Sequence, residues 1–217
     1  MNNRLSTTHD SEFFDKQYFE AGPQSGKSLY QNYRWMPELT IPLAHHIVKY
    51  MNIQKYESVL DFGCAKGYLV YALRLLGYDA YGVDVSEYAL NSCQHEVEDY
   101  LELIKPLDDR YKYHEHIICK DILEHIPYDS IDEQMKILAN KCEKLFAIIP
   151  LGDGEKYYID AYELDKSHYI REDVDWWEER FRANGFHNIE VSTDLGPFKA
   201  NWQDINDRGN ALIIGSW

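Results

Sequence analysis

The residues best suited to chemistry lie in the run Val59–Leu60–Asp61–Phe62–Gly63–Cys64–Ala65–Lys66–Gly67. A short apolar run that enters a turn of small residues and then a helix presents backbone N–H groups and a helix N-terminus to a ligand. Small side chains at Gly63, Ala65 and Gly67 let that ligand approach the backbone closely. Asp84 falls 21 residues after Gly63, at the end of the next apolar run. A carboxylate there can accept both hydrogen bonds of a ribose diol. The plainer alternative is a turn that only reverses the chain, with an acid that caps a helix.

These groups need elements to position them, and the pattern supplies an alternation. Thr40 and Pro42 start a helix with Leu43, Ile47 and Met51 at helical spacing. Ser58–Phe62 reads as a strand, residues 67–76 as a buried helix closed by Gly77, Ala80–Val85 as a strand and Glu87–Gln94 as a helix. A third strand is expected around His95–Glu98, and further strands at His116–Cys119 and Leu145–Ile149. Between those two, Ser130 and Glu133 have capping-box spacing ahead of the stripe Ile131, Met135, Leu138 and Cys142. Val174, Trp177 and Phe181 mark a helix stopped at Asn184–Gly185, before strands at Asn188–Ser192 and Ala211–Gly215. Such alternation predicts an α/β fold with a mostly parallel sheet covered on both faces. Residues 1–40 stand apart as an aromatic N-terminal arm, a lid over the ligand site, and residues 41–217 form the main domain.

Composition narrows the partners. The 217 residues carry a formal net charge of −15 and show no cluster of Lys and Arg, which speaks against a phosphate backbone as partner. Four scattered cysteines without a Cys-x-x-Cys pair suit reduced thiols rather than disulfides or a zinc knuckle. No apolar run approaches the roughly 20 residues that span a bilayer. Met1–Asp10 lacks the basic-then-apolar order of a secretion signal, so a soluble cytoplasmic protein is expected. Acids and histidines do not fall at metal-ligand spacing, and no metal is expected.

From about Tyr56 onward the chain resembles the class I S-adenosylmethionine-dependent methyltransferases. Asp61 to Gly67 is similar to their first motif, with Ala65 in place of its central glycine, a change tolerable if the φ there is negative. IICKDILEHIP, from Ile117 to Pro127, is similar to their fourth-strand motif. The resemblance implies a Rossmann-like three-layer sandwich with seven strands, the last antiparallel. It implies S-adenosylmethionine as cofactor, with Asp61, Gly63, Cys64, Ala65, Gly67 and Lys120 around its methionine end. Asp84 would hold the ribose, Val85 would lie near the adenine, and Asp99–Tyr100 would supply the acid after the third strand that reaches the adenine amino group. Arg34 in the arm would pair with the cofactor's carboxylate, or else with a surface acid.

Methyl transfer to a hydroxyl needs help with the proton, a task that suits histidine. His125 follows the fourth strand beside Asp121 and Glu124, and Glu124 is a rival base. His168 precedes the Val174 helix where many relatives carry a histidine. Each either moves a proton or shapes the site. His45, His46, His114, His116 and His187 read as surface or packing residues. The family's habits point to a small-molecule acceptor, first a sugar or glycan hydroxyl. A non-sugar amine or hydroxyl, a non-catalytic cofactor-binding module and a nicotinamide-dependent oxidoreductase stay open.

Overall fold

Residues 11–199 and 209–217 are described by a computed structural model of the chain. The polar stretch Met1–Asp10, read above for a secretion signal, lies outside the described residues.

Seven strands form one sheet: β1 Ser58–Phe62, β2 Asp79–Asp84, β3 Leu101–Leu103, β4 His116–Lys120, β5 Lys144–Pro150, β6 Asn188–Ser192 and β7 Asn210–Ser216. Their order is β3-β2-β1-β4-β5-β7-β6. The first five run parallel, and β7 lies antiparallel between β5 and β6. The helices are α1 Lys16–Glu20, α2 Gly22–Ser25, α3 Pro37–Tyr50, α4 Tyr68–Leu75, α5 Glu87–Leu90, α6 Ile131–Asn140 and α7 Val174–Ala183.

Side chains alternate across a strand, so each central strand feeds two cores. Leu60, Ile117, Leu145, Ala147 and Ile213 join α6 and α7 on one face. Val59, Ile118, Phe146, Ile148 and Leu212 join α3 and α4 on the other. The chain order along the sheet reverses between β1 and β4, and the crevice beyond their carboxyl ends is where an open α/β sheet accepts a ligand. No described helix is long and apolar enough to cross a membrane.

Several elements differ from expectation. Helix α3 begins at Pro37 rather than Thr40 because a proline fits the first turn, leaving Pro42 inside. Helix α5 ends at Leu90, four residues short. His95–Tyr100 is a 3-10 helix with only Val97 buried, and the third strand is Leu101–Leu103. HEVEDY lacks the apolar alternation of a strand, and only the residues after it reach the edge of β2. The capping box does not form: Ser130 has φ −115° and ψ −17°, and its hydroxyl donates to Asp129 instead. The stripe Ile131, Met135, Leu138 and Cys142 is nevertheless buried, as predicted.

The arm folds back over the crevice. Asp15 caps α1 by accepting from the Tyr18 N–H at 3.0 Å. Tyr18 and Phe19 bury themselves against Ala89, with Phe13, Phe14, Tyr33, Ala65 and Tyr88 around them. Lys66 of the glycine turn ties the arm down through Glu20 and, at 2.8 Å, the Tyr33 carbonyl.

Candidate functional site

After β1 the chain turns through three left-handed residues: Gly63 at φ 79°, Ala65 at 49° and Gly67 at 68°. The expectation of a negative φ at Ala65 is overturned, so its Cβ sits in a region that costs an L-residue about 1–2 kcal/mol. The turn is braced internally. The N–H groups of Gly63 and Cys64 donate to the Val83 carbonyl at 2.9 and 3.1 Å, and that of Gly67 to the Cys64 carbonyl. A Cβ on Gly63 would lie 2.4 Å from Ile122 Cγ1, and one on Gly67 would lie 2.6 Å from Leu101 Cδ1. Backbone conformation and protein packing therefore demand these two glycines, before any ligand does.

Asp84 closes β2 with one oxygen accepting from the Ala65 N–H and the other from the Ser86 N–H, both at 2.7 Å. Burial raises its pKa, against the pull of the Ser86, Ala65 and Val85 N–H groups. The carboxylate keeps acceptor capacity beyond these bonds. Val85 is half-buried against the core beside it. Asp99 and Tyr100 take no part in this grouping. Asp99 is exposed in the 3-10 helix ahead of β3, so the premise of an acid after the third strand fails there. The Tyr100 ring is covered by the Arg74 guanidinium, 3.3 Å from its centroid.

A cavity of about 590 Å³ gathers Arg34, Asp61, Gly63, Cys64, Ala65 and Lys120 on its walls, and with them Glu124, His125 and His168. His46, read above as a surface or packing residue, also reaches this wall. Asp61 is 5% exposed and has no hydrogen bond or ion pair from its side chain among the described residues. Burial, reinforced by the charge of Asp84 and opposed by Lys120, pushes its pKa up to about 7. Arg34 stands at the mouth, exposed and without an ion pair among the described residues. Burial alone would raise Asp121, but the ammonium groups of Lys120 and Lys199 outweigh it and hold the carboxyl well below the usual range.

Glu124 and His125 of the 3-10 turn Leu123–His125, with Asp165 and His168 of the loop before α7, complete the lining. His125 Nδ1 lies 2.8 Å from Ser167 Oγ, whose own proton goes to Asp165 at 2.6 Å. Nδ1 of His125 therefore donates, which leaves Nε2 as the nitrogen that accepts when the ring is neutral. His168 Nδ1 donates to the Tyr162 carbonyl at 3.0 Å, which leaves its lone pair on Nε2 as well. The two rings meet edge to face with centroids 4.6 Å apart. Burial and the nearby His125 push the His168 pKa down to about 3. Its 3.9 Å approach to Glu124 Oε1 is consequently not an ion pair at neutral pH. Glu124 is 1% exposed, its Oε2 has no hydrogen-bond partner among the described residues, and burial together with the Asp121 charge drives its pKa well above normal.

Sequence reasoning placed His125, His168 and Glu124 individually but missed Asp165 and Ser167. The local signal was there, since Ser167 N–H donates to Asp165 Oδ1 at 3.0 Å in an Asx turn, a habit of Asp before Ser. Tyr18 was also missed. Its hydroxyl crosses from the arm to donate to Asp165 Oδ2 at 2.8 Å.

A family model described as a methyltransferase domain matches residues 34–195. No curated protein matches the sequence. Among solved structures, a SAM-dependent methyltransferase from Archaeoglobus fulgidus is 14% identical, covering 83% of this chain and 97% of its own, with a TM-score of 0.64. Phosphoethanolamine N-methyltransferase 2 from Haemonchus contortus, solved with S-adenosyl-L-methionine, is 16% identical with a TM-score of 0.65. That match covers 95% of this chain and 59% of the Haemonchus protein. The [4+2]-cyclase SpnF is 12% identical, covers 96% of this chain and 97% of its own, and has a TM-score of 0.65.

Proposed function

Because the chain belongs to the family of methyltransferase domains, we propose that it transfers a methyl group from S-adenosylmethionine to a hydroxyl of a small, sugar-like acceptor. The observation that carries this reading is one cavity lined both by a buried carboxylate, Asp61, without a side-chain partner among the described residues, and by two imidazoles, His125 and His168, each anchored through Nδ1.

The donor set fits the cofactor. A buried carboxylate without an ion pair among the described residues calls for a cation, and the ammonium of a methionyl group answers it. Arg34 at the mouth suits the carboxylate of the same group. The spare lone pairs of Asp84 suit a ribose diol, with Val85 beside them. The cavity size falls within the roughly 300–1,000 Å³ common for ligand pockets. When bound, S-adenosylmethionine supplies a methyl group on a positively charged sulfur.

On the acceptor side, His125 activates the hydroxyl, and His168, held unprotonated, positions it by accepting a hydrogen bond at Nε2, both rings being anchored through Nδ1. Tyr30, Tyr68 and Tyr162 offer ring faces for a sugar, and Glu124 and Asp121 offer acceptors for its hydroxyls. The arm, residues 11–40 of the described chain, acts as the lid that keeps water from the reacting groups.

Calorimetric titration with S-adenosylmethionine and S-adenosylhomocysteine, with NADH as control, tests the cofactor. Micromolar-range binding of the first two alone is expected, weakened at least about tenfold by Asp84→Ala. Binding of NADH alone overturns the reading. Release of S-adenosylhomocysteine on incubation with a panel of sugars then tests the acceptor, and turnover confined to amines would remove the hydroxyl assignment.

A further inference from the structure

We propose that Glu124, His125 and His168 form a binding site for one divalent first-row metal ion, which presents the acceptor hydroxyl to the methyl donor. The inference rests on the methyl-transfer reading and specifies how the same wall of the cavity acts.

The three side chains offer one ligand atom each within 4.8 Å of one another. A metal held at about 2.1 Å from two imidazole nitrogens and a carboxylate oxygen needs them roughly 3–3.5 Å apart, a change within reach of small side-chain rotations. Proximity alone is not the argument. Glu124 Oε2 is a buried carboxyl oxygen with no hydrogen-bond partner among the described residues, and the other oxygen of the same group lies 3.9 Å from His168 Nε2. At 3.9 Å the two groups are too far apart to share a proton, so the buried carboxyl gains the partner it lacks only from something placed between them.

The surroundings are those of metal-binding histidines. A ligating imidazole usually donates its other N–H to a carbonyl or an acid-backed group, which fixes ring and tautomer. His168 does so to the Tyr162 carbonyl, and His125 to Ser167, backed by Asp165. Two imidazoles and one carboxylate leave coordination positions open, as catalytic rather than structural sites do. All three residues line the cavity, so the open positions face the space assigned to the acceptor. A hydroxyl bound there has its pKa lowered, and its proton leaves to solvent through the cavity mouth.

The expectation of no metal came from spacing along the chain. His168 lies 43 residues after His125, and only the fold brings them together.

The test is titration of the full chain, freed of metal by chelation, with Co2+ followed by its visible d–d absorption and with Mn2+ followed by paramagnetic resonance. One equivalent per chain is expected, with affinity reduced at least about 100-fold in Glu124→Gln and in His168→Gln. Glu124→Gln keeps the shape of the side chain, and its unchanged thermal stability without metal would show that the loss is not unfolding. Absence of saturable binding, or equal binding by wild type and both variants, overturns the proposal. Titration with S-adenosylmethionine in the same samples separates the two readings. Cofactor binding without metal binding removes the metal site alone, whereas metal binding without cofactor binding removes the methyl-transfer reading.

Discussion

His125 and Ser167 lie 42 positions apart in sequence, yet Nδ1 of the one meets Oγ of the other at 2.8 Å. Ser167 is fully buried, and its hydroxyl passes its proton toward Asp165 at 2.6 Å. The serine thus sets which nitrogen of His125 carries the lone pair. Whether His125 acts directly or through a metal, its orientation depends on this contact.

Ser167→Ala should therefore lower turnover about 10–100-fold while leaving cofactor affinity unchanged. Steady-state kinetics beside calorimetry checks it. Equal loss of cofactor affinity would mean that the serine supports the whole pocket instead of the ring.

Ala65→Gly should stabilise the protein. Ala65 sits at φ 49°, where glycine pays no Cβ penalty, and the gain is about 1 kcal/mol after the added freedom of the unfolded chain is counted. In a chain of this size that is a rise of about 2–4 °C in Tm, measured by calorimetry. A lower Tm would show that the methyl of Ala65, packed beside Tyr18 and Phe19, is worth more than the strain.

The strands were legible because buried central strands read as short apolar runs, and β1 and β6 have the predicted bounds. The edge strand β3 was not, since only three residues pair and two of them are exposed. Sequence located the walls of the cavity but not their meeting. Asp61 and Ala65 are near neighbours in sequence, whereas Glu124, His168 and Tyr18 converge only through the loop before α7 and the folded arm. Gly63 and Gly67 show a subtler limit: their spacing suggested ligand approach, but Ile122 and Leu101 already fill the space a Cβ would take.

Asp61→Asn should change how stability depends on pH. The carboxyl titrates near 4 in the unfolded chain and at about 7 in the folded one. Between those values the folded state binds the extra proton, so stability falls as pH rises through the window, by about 1.4 kcal/mol for each pKa unit. The amide cannot titrate. The variant should match wild type at pH 4, exceed it at pH 8, and bind S-adenosylmethionine more weakly at pH 8, where the wild-type carboxylate supplies the counter-charge of the ammonium. Denaturant unfolding at the two pH values measures the first effect and calorimetry the second. Parallel stability curves would show that Asp61 does not titrate in this range.

Tyr18→Phe tests the arm as a lid. The Tyr18 hydroxyl donates to Asp165 Oδ2 at 2.8 Å, while Ser167 uses the other oxygen of the same carboxylate. One side chain of the arm is therefore wired to the group that orients His125. The Phe14 carbonyl accepts from Ser86, just beyond Asp84, and its ring lies 6.1 Å from that of His125. The arm thus spans both ends of the proposed site. Removing one hydroxyl leaves the ring packing of Tyr18 with Phe14 and Phe19 in place, at centroid distances of 5.1 and 5.0 Å. The loss is one hydrogen bond to a charged group, about 1.5–3 kcal/mol if the arm stays seated. An arm that opens and closes turns that loss into a larger open population. Hydrogen exchange at Tyr18 and Phe19 should then speed up while β1 and β4 stay protected, and the cofactor should dissociate faster with little change in its association rate. Unchanged exchange and unchanged dissociation in Tyr18→Phe would mean that the arm is a fixed wall of the domain, and the lid reading would be abandoned.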